Sequence, residues 1–383
     1  MSERVPLAMI AREWTRLGCI GFGGPPTHIA LLRRLCVDER HWLDTEEFED
    51  GIAATNLLPG PASTQLAIFS AWRLAGAAGA VIGGLCFIAP GLVLILVLSA
   101  IFLASSPPVA VLGAAAGAGA AVPAVALHAA RSLFPTSWAR IGTARAGHIR
   151  WIAYGAAGAL AAATVGRFLV LVLLACGLAE VVIRRRASSA SPPALVALRV
   201  AAPAAASGGL AVLTWVAFKV GALSYGGGFV IIPLMQHDAV NAYHWMTDAQ
   251  FLNAVALGQV TPGPVVLTVA TVGYAAAGVG GGLLATAIAF APSFVFVLVG
   301  GPRFAQLRQN TGVQSFLTGA GPAAIGAIAG SAIPLTRALG HWWQVPLLIA
   351  ALASLLVFRR GVVMTLLAAG LIGVVLAVAG APV

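Results

Sequence analysis

Long apolar runs alternate along the chain with short intervals that are polar or rich in glycine and proline. Runs over 74–104, 109–131, 151–166 and 167–183 recur as 277–300, 313–336, 343–358 and 361–381. They are continuously apolar rather than amphipathic, and about 20 such residues let a helix cross a bilayer. Two interrupted segments precede each set. One breaks at Gly21-Phe22-Gly23-Gly24 or at Tyr225-Gly226-Gly227-Gly228, the other at Pro59-Gly60-Pro61 or at Pro262-Gly263-Pro264. An amphipathic loop carrying His41-Trp42 or His244-Trp245 lies between them. The pattern predicts an all-α polytopic membrane protein built from two homologous repeats, each of about five to six membrane segments with broken or re-entrant helices.

The recurrence is in register. At an offset of 203 residues, 18–61 and 221–264 match at 13 of 44 positions, including His, Trp and Pro. After a one-residue slip, Pro90 meets Pro292 and Gly117-Ala-Gly119 meets Gly319-Ala-Gly321. The expected domains are 1–183 and 208–383, joined by the polar, Arg-rich linker 184–207. Paired halves of this kind are common in secondary transporters.

Composition narrows the class. Charged residues are 9% of the 383, against roughly 25% in a soluble protein, and mean hydropathy is +0.94. A soluble enzyme, a nucleic-acid-binding domain and a disordered chain are excluded. The net charge of +10 falls in short gaps between apolar runs, which is positive-inside patterning. The 31–50 loop carries Arg33, Arg34 and Arg40, whereas 234–253 has no Lys or Arg. The 105–108 gap is uncharged, whereas its counterpart has Arg303 and Arg308. The contrasts change sign between halves, so the repeats should be inverted. They agree only if each Pro-Gly-Pro is the tip of a hairpin that enters and leaves on one side. Arg131, Arg140, Arg145, Arg150 and Arg184–Arg186 then lie inside, and Arg337 alone opposes the scheme. Met1–Arg16 reads as an amphipathic leading helix rather than a signal peptide. Trp72, Trp138, Trp151, Trp245, Trp342 and Trp343 fall near helix ends as interfacial anchors. The four cysteines lack metal-ligand spacing and read as packing residues.

Candidate chemistry gathers at the breaks. Glycine and proline interrupt a helix and expose N–H groups where the next half-helix begins, and that end attracts anions. One isolated GxGG would fit close packing equally well; two breaks recurring in register favour a site. The neighbours are neutral hydrogen-bonding residues: Asn56, Ser63, Thr64 and Gln65 in the first half, Gln259, Thr261 and Thr268 in the second. No carboxylate accompanies them, which suits an anion better than a metal cation. Lys219, Arg33, Arg34 and Arg73 are the candidate compensating cations. Lys219 stands inside an apolar run, with snorkelling as its alternative. His28 is a candidate proton carrier, with hydrogen-bonded packing as its alternative. Tyr225 places a hydroxyl where the first half has Phe22. Glu180 lies near Arg184 and reads as its partner.

In order along the chain, Gly21-Phe22-Gly23-Gly24-Pro25 with His28-Ile29-Ala30, Trp42-Leu43, Phe48 and Asn56-Leu57-Leu58-Pro59-Gly60-Pro61 precede Ser63-Thr64-Gln65-Leu66-Ala67. Arg73-Leu74-Ala75-Gly76 and Phe87-Ile88-Ala89-Pro90 follow. This series resembles the chromate ion transporter family, long two-domain type, and Gly221–Gly228 with Gly258–Pro264 resembles its second domain. The resemblance implies a multi-pass carrier of the bacterial inner membrane that exports chromate, a tetrahedral dianion like sulfate. Some members carry Asn and Glu where this chain has Ala62 and Gln65, so an acidic coupling residue is absent there. The expected activity is secondary active transport of chromate or a related oxyanion, with sulfate or another anion as the alternative cargo. A membrane-embedded enzyme lacks motif support, and no ATP-binding loop, cofactor or metal site is expected. Expected partners are the oxyanion, membrane lipid and a proton or counter-anion, with a homodimer left open and nucleic acid excluded.

Overall fold

The structure is a computed structural model that describes residues 5–187 and 209–383, apart from 57, 59, 143, 165–167, 225–228 and 302–309. Among these the fold is entirely helical. In the first half α1 (Leu7–Ile20) precedes the glycine break and α2 (Pro25–Arg33) follows it, running into a π-turn, Arg34–Glu39. Next come α3 (Thr45–Thr55), α4 (Ala62–Phe102), α5 (Val109–Ala139), α6 (Arg145–Thr164) and α7 (Leu169–Ala187). The second half runs α8 (Gly209–Leu223), α9 (Ile231–Gln236) with its π-turn His237–Ala242, and α10 (Asp248–Val260). It continues with α11 (Thr268–Gly300), α12 (Thr311–Arg337), α13 (Gln344–Leu352) and α14 (Val362–Val378).

Side-chain size is distributed inside out relative to a water-soluble fold. Ala115, Ala120, Ala121, Ala124, Ala323, Ala327 and Ala369 are buried, whereas Leu85, Val93, Val97, Leu160, Leu371 and Val375 are more than half exposed. In lipid no hydrophobic force drives helices together, so packing falls to small residues that let backbones approach. A Cβ at Gly158 of α6 would collide with the Ala323 carbonyl of α12, and one at Gly117 of α5 with the Ala369 carbonyl of α14. The last helices of each half thus pack on the Gly/Ala-rich helix of the other, α6 and α7 on α12, α13 and α14 on α5. Together with the four long apolar helices, this defines an all-α polytopic membrane protein.

The long helix α4 is two arms. Ala75 (φ −145°, ψ 24°) and Gly76 (φ 65°, ψ −153°) leave helical geometry. A Cβ on Gly79 would meet the Ala71 carbonyl, and one on Gly84 would lie 2.9 Å from Ile68 Cγ1. Residues 71 and 68 therefore lie beside 79 and 84, and the arms run antiparallel. Helix α11 repeats this at Ala277 (φ −154°) and Gly278 (φ 62°), with Gly273 against Gly281. The arm 62–74 is about 20 Å long, half a membrane, and 77–102 about 39 Å, a full crossing.

Three expectations need correction. The 31–50 segment is not an open loop: α2 and its π-turn occupy its start, and α3 begins at Thr45, where Asp44 Oδ1 accepts from Glu47 N at 2.6 Å. Thr247 and Gln250 form the same start, a capping box, on α10. Both were legible as cap signals. Trp343 is buried, at 3% exposure, with its Nε1 donating to the Pro382 carbonyl, so it is no interfacial anchor. Cys19 is exposed rather than packed, whereas Cys36 and Cys176 are buried as expected. Of the expected linker 184–207, Arg184–Ala187 end α7, and the remainder lies outside the described residues. Helix α1 follows its sequence pattern, burying Ile10, Trp14 and Leu17 against α4, with Trp14 Nε1 donating to Ala67 O at 2.8 Å.

Gly158→Val should cost about 1–3 kcal/mol and lower the unfolding temperature in detergent, because its backbone neighbour cannot yield. Gly280→Ala, with open space around its Cβ, is the matched control and should leave it unchanged.

Candidate functional site

Each Pro-Gly-Pro turn is tied to the glycine break of the other half. Gly60 N donates to the Ser224 carbonyl at 2.6 Å, and Gly263 N donates to the Gly21 carbonyl at 2.9 Å. Gly60 (φ 125°) and Gly263 (φ 102°) hold backbone angles that a side chain would strain. The long arms cross these turns. Gly91 of α4 lies against Pro262, and Ser293 of α11 approaches Gly60. Backbone freed by a broken helix must be satisfied inside a membrane, and here the two breaks satisfy each other.

Beside this junction lies a cavity of about 450 Å³. Gly23, Gly24, Asn56, Gly60 and Gln259 line it, with Pro25 and Ala62 at the starts of α2 and α4. Phe229 and Val230 follow the second break, and α5 and α12 form the walls. Asn56 and Gln259 are counterparts at the 203-residue offset, so each half contributes one amide. Gln259 is 7% exposed and its Nε2 has no hydrogen-bond partner among the described residues. No Asp or Glu is among the lining residues; the cationic ones are Arg140 and, when protonated, His128.

Other expected site residues sit elsewhere. His28 is a packing residue: Nε2 is 2.9 Å from the Gly21 carbonyl, Nδ1 is 3.1 Å from Ser63 Oγ, and the ring meets Phe87 edge-on. Thr64 and Gln65 are fully buried behind the turn, and Pro61 caps α4. Thr261 donates to the Leu257 carbonyl, and Pro262, Gly263 and Pro264 are buried away from the cavity lining. Phe22 is 40% exposed and does not line the cavity. Pro59, Tyr225, Gly226, Gly227 and Gly228 lie outside the described residues. Of four expected helix N-termini, the cavity meets three among the described residues: those of α2 and α4 and, at its cap Val230, that of the six-residue α9. Pro25 and Pro26 also remove two N–H donors from the first turn of α2.

The four nominated cations are all neutralised. Lys219 Nζ lies 2.6 Å from Asp238 Oδ2, Arg33 pairs with Glu49, Arg34 with Glu39, and Arg73 with Glu47. Lys219 is therefore half of a mostly buried ion pair, backed by the Trp215 ring at 5.8 Å, and does not line the cavity. Glu180 binds Arg150 at 2.8 Å as well as Arg184. The sequence reading passed over His128, Ser132 and Thr136 and took Arg140 only as a topology marker. All four line the cavity from α5. Their spacing of four puts them on one helical face, a signal that was available.

Fold and cavity define a multi-pass membrane protein with a polar cavity beside its broken helices. The sequence profile of the chromate transporter family matches residues 8–181 and 211–374, and the chain belongs to that family. A chromate transport protein of Pseudomonas aeruginosa is 33% identical over 410 residues, covering 97% of this chain and 94% of the relative. One of Cupriavidus metallidurans is 31% identical over 339 residues, covering 86% and 83%. A probable chromate transport protein of Synechococcus elongatus is 28% identical over 347 residues, covering 88% and 86%. No solved structure matches.

Lys219→Gln should destabilise the protein by about 3–5 kcal/mol, because it leaves Asp238 buried and unpaired. Lys219→Gln with Asp238→Asn should recover most of that loss. Thermal unfolding of the purified variants reads both, and a silent single variant would show that the pair is not buried.

Proposed function

We propose that the protein is a secondary active carrier that exports chromate, or a closely related tetrahedral dianion, across the bacterial inner membrane. The observation that carries this reading is the cavity: three helix starts, two amides, an arginine and a histidine line it, and among the described residues no carboxylate does. A dianion entering there meets donors and partial positive charge, whereas a cation finds no compensating anion. The relatives named as chromate transport proteins support chromate as cargo. Sulfate presents the same two charges on four tetrahedral oxygens, and a hydrogen-bonding cage separates the two poorly.

The cavity's one-sidedness supports alternating access, and export is the direction that the family resemblance implies. The lining of α5 runs from buried Val125 to exposed Arg140, so the mouth lies at the C-terminal end of that helix. That end adjoins Arg145 and Arg150 of α6 and, through Glu180, Arg184 of α7, and positive-inside patterning makes it cytoplasmic. At the other end of α5, α10 separates this cavity from a second one of about 310 Å³ lined by Leu112, Ala116, Leu252 and Asn253. Leu252 and Asn253 of α10 press on Gly119, where an added Cβ would collide with Asn253 Oδ1. In this reading the halves 1–183 and 208–383 are inverted repeats that exchange open and closed ends. The reciprocal bonds at the breaks, the crossed packing of the last helices and the family profile's two matched stretches support it.

Reconstituted protein should move chromate, and excess sulfate should slow that flux; flux indifferent to sulfate would remove the shared-site picture. Asn56→Leu and Gln259→Leu should each lower transport per folded protein about tenfold, the cost of one lost hydrogen bond to a charged group. Oxidising Gly119→Cys with Asn253→Cys should stop transport, with recovery on reduction. Full turnover by the cross-linked protein would exclude this contact as the closed end.

A further inference from the structure

The nominated cations are all paired with carboxylates and off the cavity, so the charge that selects an anion must come from elsewhere. Among the described residues, Arg140 is the one Lys or Arg that lines the cavity, and it takes part in no ion pair. It is exposed, at the last turn of α5, where the cavity meets water. The helix C-terminus there is itself slightly negative, which favours a cation at that position. Inward from Arg140, one turn at a time, come Thr136, Ser132 and His128. Ser132 Oγ donates to the Ala129 carbonyl at 2.8 Å and must rotate to serve an anion. His128 Nδ1 is buried without a hydrogen-bond partner. Arg131, on the next face, is committed to the Leu356 carbonyl at 3.0 Å.

We infer that Arg140 is a specificity-determining residue, which captures the tetrahedral dianion at the cavity mouth and hands it along the α5 face to His128. This rests on the transport reading above and assigns that site its cation. Twelve residues of helix put Arg140 about 18 Å from His128, more than a Debye length of about 8 Å at physiological salt. Arg140 therefore governs capture, whereas the amides and helix starts at the inner end hold the bound ion. Capture by a fixed charge shows in KM and in ionic-strength dependence, not in the turnover of bound substrate.

The test compares wild type, Arg140→Gln and Arg140→Lys in proteoliposomes with radiolabelled chromate, over a series of inert-salt concentrations. Arg140→Gln should raise KM about tenfold and flatten the salt dependence, with Vmax within about twofold of wild type. Arg140→Lys, which keeps the charge, should stay within about twofold in both. Wild-type KM and salt slope in Arg140→Gln would overturn the inference, as would a fall in Vmax at unchanged KM, the mark of a structural role. A second measurement is chromate or sulfate binding by purified protein, read from fluorescence of Trp138 and Trp151 on the same helical neighbourhood. Wild type that binds but does not transport would sink the carrier reading alone, and slower association of the dianion with Arg140→Gln would still uphold the inference. Wild type that binds neither dianion would overturn both.

Discussion

The structure depends on one constraint: backbone polar groups left over from broken helices have no water to turn to in a membrane interior. The chain meets it by reciprocity. Gly60 N bonds the Ser224 carbonyl, and Gly263 N bonds the Gly21 carbonyl. Each half therefore needs the other to complete its own break. The same dependence appears in the packing, where α6 rests on α12 and α14 on α5 through contacts so close that only glycine fits. Neither half can bury its small-residue faces alone.

Charge is organised with comparable economy. Most carboxylates near the breaks are engaged with arginines or with Lys219, which leaves the cavity wall free of acid. A single uncommitted carboxylate there would repel a dianion. In the proposed anion carrier, a wall without acid favours the dianion, even where an ion pair itself adds little stability.

The corresponding glycines of α5 and α12 are packed differently. The Gly119 end of α5 is closed by α10, whereas the corresponding Gly321 of α12 lines the open cavity. In the proposed carrier, two arrangements of like elements, differing in which end is packed, would move an ion without opening a continuous pore.

Local chemistry made much of this legible from the residues in order. Membrane class, the long apolar helices and the break at Gly21–Gly24 follow from apolar run length and from what Gly and Pro cannot do in a helix, whereas α2 and α3 stand where a loop was expected. The caps at Asp44 and Thr247 were also readable, as was the four-residue spacing of His128, Ser132, Thr136 and Arg140. Partnership was not. Lys219 looks unpaired along the chain because Asp238 lies nineteen residues away, and the two meet only when α9 folds back on α8. His28 likewise becomes a packing residue only when Ser63 arrives from α4. Which polar groups face the cavity depends on contacts between distant segments. An electrostatic role belongs to a residue and its neighbours together, and those neighbours are assigned by tertiary structure.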